Sequence, residues 1–207
     1  QIRKLGVKTI FGTEATREMI ISMNPDVVFL ATGSRPAIPD MPGVEKDIAI
    51  TAVDLLMQKP DIGKNVVVVG GNMVGSEVAL YLARQGKSVT IVECMDEIMR
   101  DIIWINALDI KRRFNGLESD RISVKVMTNT VAIEIDDDGL IINENGSGSR
   151  KLTADKIILA VGMVPNDNKL CESLEGKVPE LHCIGDCMFP GKVMDAVWGG
   201  YREARLI

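Results

Sequence analysis

The chain has 207 residues, of which 46% are hydrophobic, 26% charged and only 4% aromatic, with a formal net charge of −5. That length holds one large domain or two small ones around an ample core. The acidic balance argues against nucleic-acid and anionic-membrane partners; no apolar run reaches the ~20 residues of a membrane span and no signal-peptide pattern opens the chain, so a cytoplasmic protein is expected.

Taken in order, residues 1–5 read as the tail of a helix ended by Gly6, residues 7–11 as a short strand, and residues 15–23 as a short helix stopped by Asn24-Pro25. Residues 26–30 (DVVFL) form a buried strand that runs into Ala31-Thr32-Gly33-Ser34-Arg35-Pro36, and residues 36–43 are an irregular, Pro- and Gly-rich crossing. Thr51 opens a helix with Asp54 three residues on, a capping-box-like pair. Pro60 and Gly63 end that helix and mark an expected domain boundary.

Residues 65–93 carry the strongest pattern. The run Val66-Val67-Val68-Val69 is wholly apolar and β-branched and is closed by Gly70-Gly71, as expected of a strand buried on both faces of a parallel sheet. A helix follows, with Val74, Val78 and Leu82 four residues apart and Gly86 at its end, and residues 88–93 form a second strand. The whole is a strand–turn–helix–strand unit of about 30 residues, the size of βαβ. Gly70, Asn72 and Gly75 occupy the three places of G-x-G-x-x-G, where the backbone approaches a pyrophosphate over a helix N-terminus. Glu93 ends the second strand, where a carboxylate accepts the ribose hydroxyls of NAD. Asn72 departs from the pattern; it tolerates positive φ, so the turn survives, but its side chain crowds the pyrophosphate. No basic residue directly follows Glu93 to receive a 2′-phosphate, which favours NADH over NADPH.

Residues 107–115 read as a helix with a basic solvent face, punctuated by Gly116 and Asp120 before a strand over residues 122–127. Residues 130–153 read as a β-meander turning at Asp138-Gly139 and Asn145-Gly146. Residues 155–160 are again a buried strand leading to Val161-Gly162-Met163-Val164-Pro165; residues 181–184 form the last strand, and a helix runs from Lys192 to the end. DVVFLATGSRP and DKIILAVGMVP share a register, an internal echo of two related halves. Gln1 is not an initiator residue and the chain stops in a helix pattern, which reads as an excised piece of something longer.

Ala31-Thr32-Gly33, Ala160-Val161-Gly162 and Gly185-Asp186, around the central unit, resemble the motifs of the two-dinucleotide-binding-domain flavoproteins, the pyridine nucleotide-disulfide oxidoreductase-like proteins. The segment IGDCMFPGKVMDAVWGGYREA is similar to the C-terminal module of the 2,4-dienoyl-CoA reductase, 2-enoate reductase and trimethylamine dehydrogenase group. The resemblance covers essentially the whole chain. It implies an α/β fold in which a Rossmann-like NAD(P)-binding domain, residues 62–163, is inserted into an incomplete FAD-binding domain made of residues 1–61 and 164–207, with a β-meander crossover. NAD would be held by Gly70, Gly71, Asn72, Met73, Val74, Gly75 and Glu93, with Glu77 near the nicotinamide. On the flavin side the implied residues are Asp186 on the ribityl chain and the helix start around Met194; Gly33 and Gly162 would mark the domain crossings, with Thr32 beside the first among the implied cofactor-binding residues. The family's FAD fingerprint precedes everything in this chain, so FAD contacts are only partly present. The implied function is an NADH- and FAD-binding module of a multidomain flavin oxidoreductase whose partner is an N-terminal flavin and iron–sulfur barrel, with homo-oligomerisation left open. The alternative is a non-redox module that holds ADP or NAD, or an assembly module.

No catalytic triad or metal set is present, which suits hydride transfer, since the cofactors carry that chemistry. The four cysteines are expected to be unpaired thiols, Cys183 and Cys187 among them as packing residues. His182 reads as structural, with no acidic partner nearby; Asp136-Asp137-Asp138 reads as a solvated turn that leaves a weak cation site open. Trp198 reads as an interdomain packing residue and the methionines as core filler.

Overall fold

The computed structural model describes residues 1–100, 102–114 and 124–207; the expectations placed on Asn115, Gly116, Asp120 and residues 122–123 lie outside them. Two compact units are present, one of residues 36–163 and one of residues 1–35 with 164–207.

The unit of residues 36–163 is built on a five-stranded, all-parallel sheet in the spatial order Ala49–Thr51, Lys156–Leu159, Asn65–Val69, Ser88–Val92, Val124–Met127. Successive side chains of a strand point to opposite faces. Val66 and Val68 therefore enter a core shared with the helices Ala52–Gln58, Met73–Arg84 and Trp104–Phe114. Val67 and Val69 enter a second core under the antiparallel meander Thr130–Ile135, Gly139–Glu144, Ser149–Thr153. All four valines are at most 7% exposed, so an unbroken β-branched run, rather than an alternating one, is the pattern this strand requires.

This unit begins at Pro36, not at the Asp61-Ile62 boundary read from the sequence. The reason is the strand Ala49–Thr51, which pairs in parallel with Lys156–Leu159, and the helix after it, whose Ala52 and Leu55 are buried in the same core. Pro60 and Gly63 end an element of this sheet unit and do not separate domains.

The other unit pairs Val27–Leu30 with Glu180–Cys183 in parallel and carries the helices Arg17–Ser22, Lys169–Leu174 and Val193–Glu203. Its core is small: Val28, Leu30 and Leu174, with Ile20, Leu170, Val178 and Leu181 packed against them. Residues 7–11 are exposed and form no strand, because a β-prone stretch without a ladder partner has nothing to satisfy its backbone.

Cys171 and Cys183 are joined as a disulfide between the helix Lys169–Leu174 and the strand Glu180–Cys183, which corrects the expectation of unpaired thiols and of Cys183 as a packing residue. Cys94 and Cys187 are free. Alkylation of the denatured, unreduced chain is therefore expected to label two thiols, Cys94 and Cys187. Cys171→Ser should lower stability by about 3 kcal/mol in urea unfolding, from the lost loop constraint. Labelling of all four cysteines in the unreduced chain would refute the pairing.

Candidate functional site: a cavity at the sheet switch point

From the strand Asn65–Val69 the chain moves outward to Ser88–Val92 and Val124–Met127, then returns on the opposite side as Lys156–Leu159. In open parallel sheets a binding crevice lies at the carboxyl ends of the strands where the order reverses in this way. Here that place is a cavity of about 310 Å³ lined by Gly70, Asn72, Met73, Val74, Glu93, Cys94 and residues 159–163, with Pro36, Ala52 and Val53 completing it.

The glycine turn is dictated by close approach. Gly70 has φ 99°, and a Cβ there would lie 2.5 Å from the Ala160 carbonyl oxygen. A Cβ on Gly71 would lie 2.5 Å from Ile98 Cγ2, and one on Gly75 would overlap the Gly70 carbonyl. The left-handed backbone falls on Gly70; Asn72 has φ −73°, so the tolerance of positive φ that the sequence suggested is not used. Asn72 is instead the N-cap of the helix Met73–Arg84, its Oδ1 accepting from the Met73 N–H at 2.9 Å. This leaves the amide NH₂ as a donor at the cavity. With the Met73 N–H taken by Asn72 Oδ1 and the Ser76 N–H by the Asn72 carbonyl, the N–H groups of Val74 and Gly75 are left in the first turn and, with the helix dipole, favour an anion there. A cradle of this shape and donor set fits a pyrophosphate.

Glu93 is buried and held by three donors. Its Oε2 accepts from the Gly71 N–H at 2.7 Å; its Oε1 accepts from the Met95 N–H at 2.8 Å and the Cys94 thiol at 3.3 Å. Burial, and then the Glu93 hydrogen bond, push the Cys94 thiol pKa up, which keeps it a protonated donor at neutral pH. A carboxylate has about four acceptor positions, so one remains for a further donor from the cavity. Ser76, which the sequence reading passed over, is fully buried and donates to the Gly71 carbonyl at 2.8 Å; the Met99 N–H reaches the same oxygen at 3.0 Å. Gly71 is thus pinned at both its N–H and its C=O. The available signal for Ser76 was a hydroxyl within a run of buried helix positions.

The remaining expected residues fall in several places. Val74 is 48% exposed and lines the cavity instead of extending the Val78–Leu82 core stripe. Gly162, with φ 111°, also lines this cavity, and its carbonyl accepts from the Ala37 N–H. Glu77 lies in a separate concavity with Met99, Asn106 and Asp109.

In the other unit, Asp186 accepts from Ser34 Oγ at 3.1 Å and from the Gly191 N–H at 3.3 Å. With Gly33, Gly185, Lys192 and Val193 it lines a second cavity of about 490 Å³. Small residues, a fixed carboxylate and a helix start make this a fit for the ribityl and ring side of a flavin. Thr32 offers its carbonyl to the Asn166 side chain, and Met194 is exposed on the helix; neither lines that cavity.

Three bland readings change. Lys46 pairs with Asp137 at 2.8 Å, and Lys151 pairs with Asp136 at 2.8 Å and with Asp138, so lysines occupy the turn where a cation site was left open. The Lys151 hydrogen bond holds the Asp136 carboxyl well below the usual range. Among the described residues no group of acidic, Cys and His side chains could hold a metal. His182 does have acidic partners, Glu180 and Glu203. Of the methionines only Met41, Met99 and Met127 are buried, while Met73 and Met163 line the cavity beside Gly70. Trp198 packs edge-on against Tyr201 of its own helix, 5.7 Å between centroids.

A parallel sheet, a glycine turn into a helix and a buried acid at the next strand end define a dinucleotide-binding α/β domain. The chain belongs to the pyridine nucleotide-disulphide oxidoreductase family, which matches over residues 4–199. It is 36% identical to the NADH oxidase of Thermoanaerobacter brockii over 99% of this chain and 31% of that protein. It is 31% identical to the cinnamate reductase of Clostridium sporogenes over 100% and 30%. A solved 2-naphthoyl-CoA reductase complex superimposes with a TM-score of 0.89 at 35% identity, covering 100% of this chain and 30% of that one. The chain thus spans about a third of the length of these relatives. Its class is that of the pyridine nucleotide-dependent flavoprotein oxidoreductases, whose cofactors are NAD(H) and FAD. Among the described residues no helix is long and apolar enough to cross a membrane.

Proposed function

We propose that this chain is the NADH- and FAD-binding module of a multidomain flavin oxidoreductase. NADH supplies the hydride, FAD accepts it, and electrons pass onward to a centre outside these 207 residues. The observation that carries the reading is the Gly70–Gly75 turn, locked at Gly71 by Glu93 and Ser76 at the switch point of a parallel sheet. In this reading the first-turn N–H groups and the Asn72 amide bind the pyrophosphate, and Glu93 accepts a ribose hydroxyl. The apolar wall of Met73, Val74, Leu159 and Met163 excludes water from the nicotinamide. Asp186 orients the flavin's ribityl chain, and the first turn of the helix Val193–Glu203 faces the ring.

Relatives whose names specify different acceptors, cinnamate in one and 2-naphthoyl-CoA in another, share this same third of their length. That pattern supports an acceptor centre in the remainder, for which a flavin and iron–sulfur barrel domain is the proposed partner. An anaerobic titration with NADH, with and without added FAD, tests the module. Bleaching of bound flavin is expected, faster with NADH than with NADPH. If NADH binds no more tightly than ADP and bleaches nothing, the chain is a nucleotide-holding module without redox function.

A further inference from the structure

The C-terminal helix Val193–Glu203 is held in place by very little. None of its residues is buried, and Gly199 and Gly200 weaken its interior. Its contacts with the turn at Ile184-Gly185 are made through small residues: a Cβ on Gly185 would lie 3.7 Å from Ala196 Cβ, and one on Gly200 3.7 Å from Ile184 Cδ1. Among the described residues, one side-chain hydrogen bond ties this helix to the sheet, and it is at the far end. His182 Nδ1 is 2.8 Å from Glu203 Oε2, the last helical residue, while His182 Nε2 is 2.6 Å from Glu180 Oε1 on its own strand. The ring is stacked on Phe29 of the neighbouring strand, 4.9 Å between centroids.

Both ring nitrogens thus face carboxylates, which only accept. A neutral imidazole has one N–H and satisfies one of them; the imidazolium satisfies both. Losing that proton leaves Glu180 and Glu203 facing each other across an uncharged ring, with Glu203 at the negative end of a helix dipole. Among the described residues, the ion pairs made by Glu180 and Glu203 are those with His182. The strand Val27–Leu30 contributes only apolar side chains, and Arg202 and Arg205 lie over Trp198 and Tyr201 of their own segment.

We propose that His182 is a pH-operated latch: protonated, it pins the helix Val193–Glu203 to the strand Glu180–Cys183, and deprotonated, it releases the helix. The Glu180 hydrogen bond, with that of Glu203 behind it, raises the His182 pKa above its ordinary 6.5. The latch is therefore fully closed below pH 6.5, the unfolded value, and opens as pH rises through the folded one. Because Lys192, Val193 and Ala196 line the cavity with Asp186, opening loosens that wall; this consequence rests on the flavin reading, whereas the latch itself does not.

The chain has a single histidine, so its ring resonances give the titration directly in these 207 residues. Amide exchange over residues 196–203, corrected for intrinsic rate, is expected to lose about tenfold protection between pH 6 and 8.5. The change should follow the His182 titration. His182→Gln should flatten that profile, and Glu203→Gln should bring the histidine titration down toward 6.5 while leaving the fold intact. A histidine titrating at or below 6.5 in the unmodified chain, or protection independent of pH, overturns the latch. FAD affinity, read by flavin fluorescence, is expected to weaken about three- to tenfold over the same range in the unmodified chain and not in His182→Gln. If FAD binds at no pH while protection still follows the histidine, the flavin reading fails and the latch stands.

Discussion

Replacing Gly75 by alanine is expected to lower NADH affinity by about 100-fold and to destabilise the sheet unit by about 2–3 kcal/mol, as overpacking in a close-packed core does. The methyl group would overlap the Gly70 carbonyl oxygen and lie 3.2 Å from Ala160 Cβ, both parts of the cavity floor. No side chain there can swing aside: the obstacle is backbone, and Gly70 is itself confined by the Ala160 carbonyl. The helix Met73–Arg84 must therefore move away from the strand ends. Its first-turn N–H groups would leave the position where a phosphate meets them, and binding energy falls steeply with such displacements. Urea unfolding measures the stability loss, and an NADH fluorescence titration of the still-folded variant measures the affinity. Binding within twofold of the unmodified chain would mean that the nucleotide does not approach this turn.

The central unit was legible because its physics is local. Val66–Val69 has a sheet neighbour on each side and a core on each face, so its burial is visible as an unbroken β-branched run. The glycines of the turn are likewise demanded by backbone a few residues away. What stayed hidden depends on partners distant in sequence. Ala49–Thr51 is only three residues long, and its membership of the sheet is decided by Lys156–Leu159, so Pro60 and Gly63 looked like a domain end. Cys171 meets Cys183 because a helix folds back over a strand, and nothing in their spacing announces it. The role of Asn72 was misread for another reason: a consensus glycine suggests positive φ, whereas this place needs a small N-cap in extended backbone. The Glu180 partner of His182 was visible, two residues away and so on the same face of the strand; Glu203 was not.

Glu93 braces the glycine turn and, in the proposed reading, also accepts a ribose hydroxyl; its substitutions separate the two roles. Glu93→Ala removes the acceptor of the Gly71 and Met95 N–H groups, and each buried donor left unpaired costs about 1–3 kcal/mol. With the brace gone, Gly71 keeps only its carbonyl bonds to Ser76 and Met99, and the turn loses its fixed shape. NADH affinity is expected to fall about 100-fold, and stability with it. Glu93→Gln keeps one carbonyl acceptor and the packing, so its stability loss should be smaller, about 1–2 kcal/mol. It lacks the charge that makes the ribose hydrogen bond strong, so an affinity loss of about tenfold should persist. Reduced nicotinamide mononucleotide, which has no adenosine ribose, discriminates the two roles. If Glu93 holds that ribose, Glu93→Gln weakens NADH and spares the mononucleotide. Equal losses for both ligands would make Glu93 a brace of the glycine turn alone, and the preference for NADH over NADPH would then need another source.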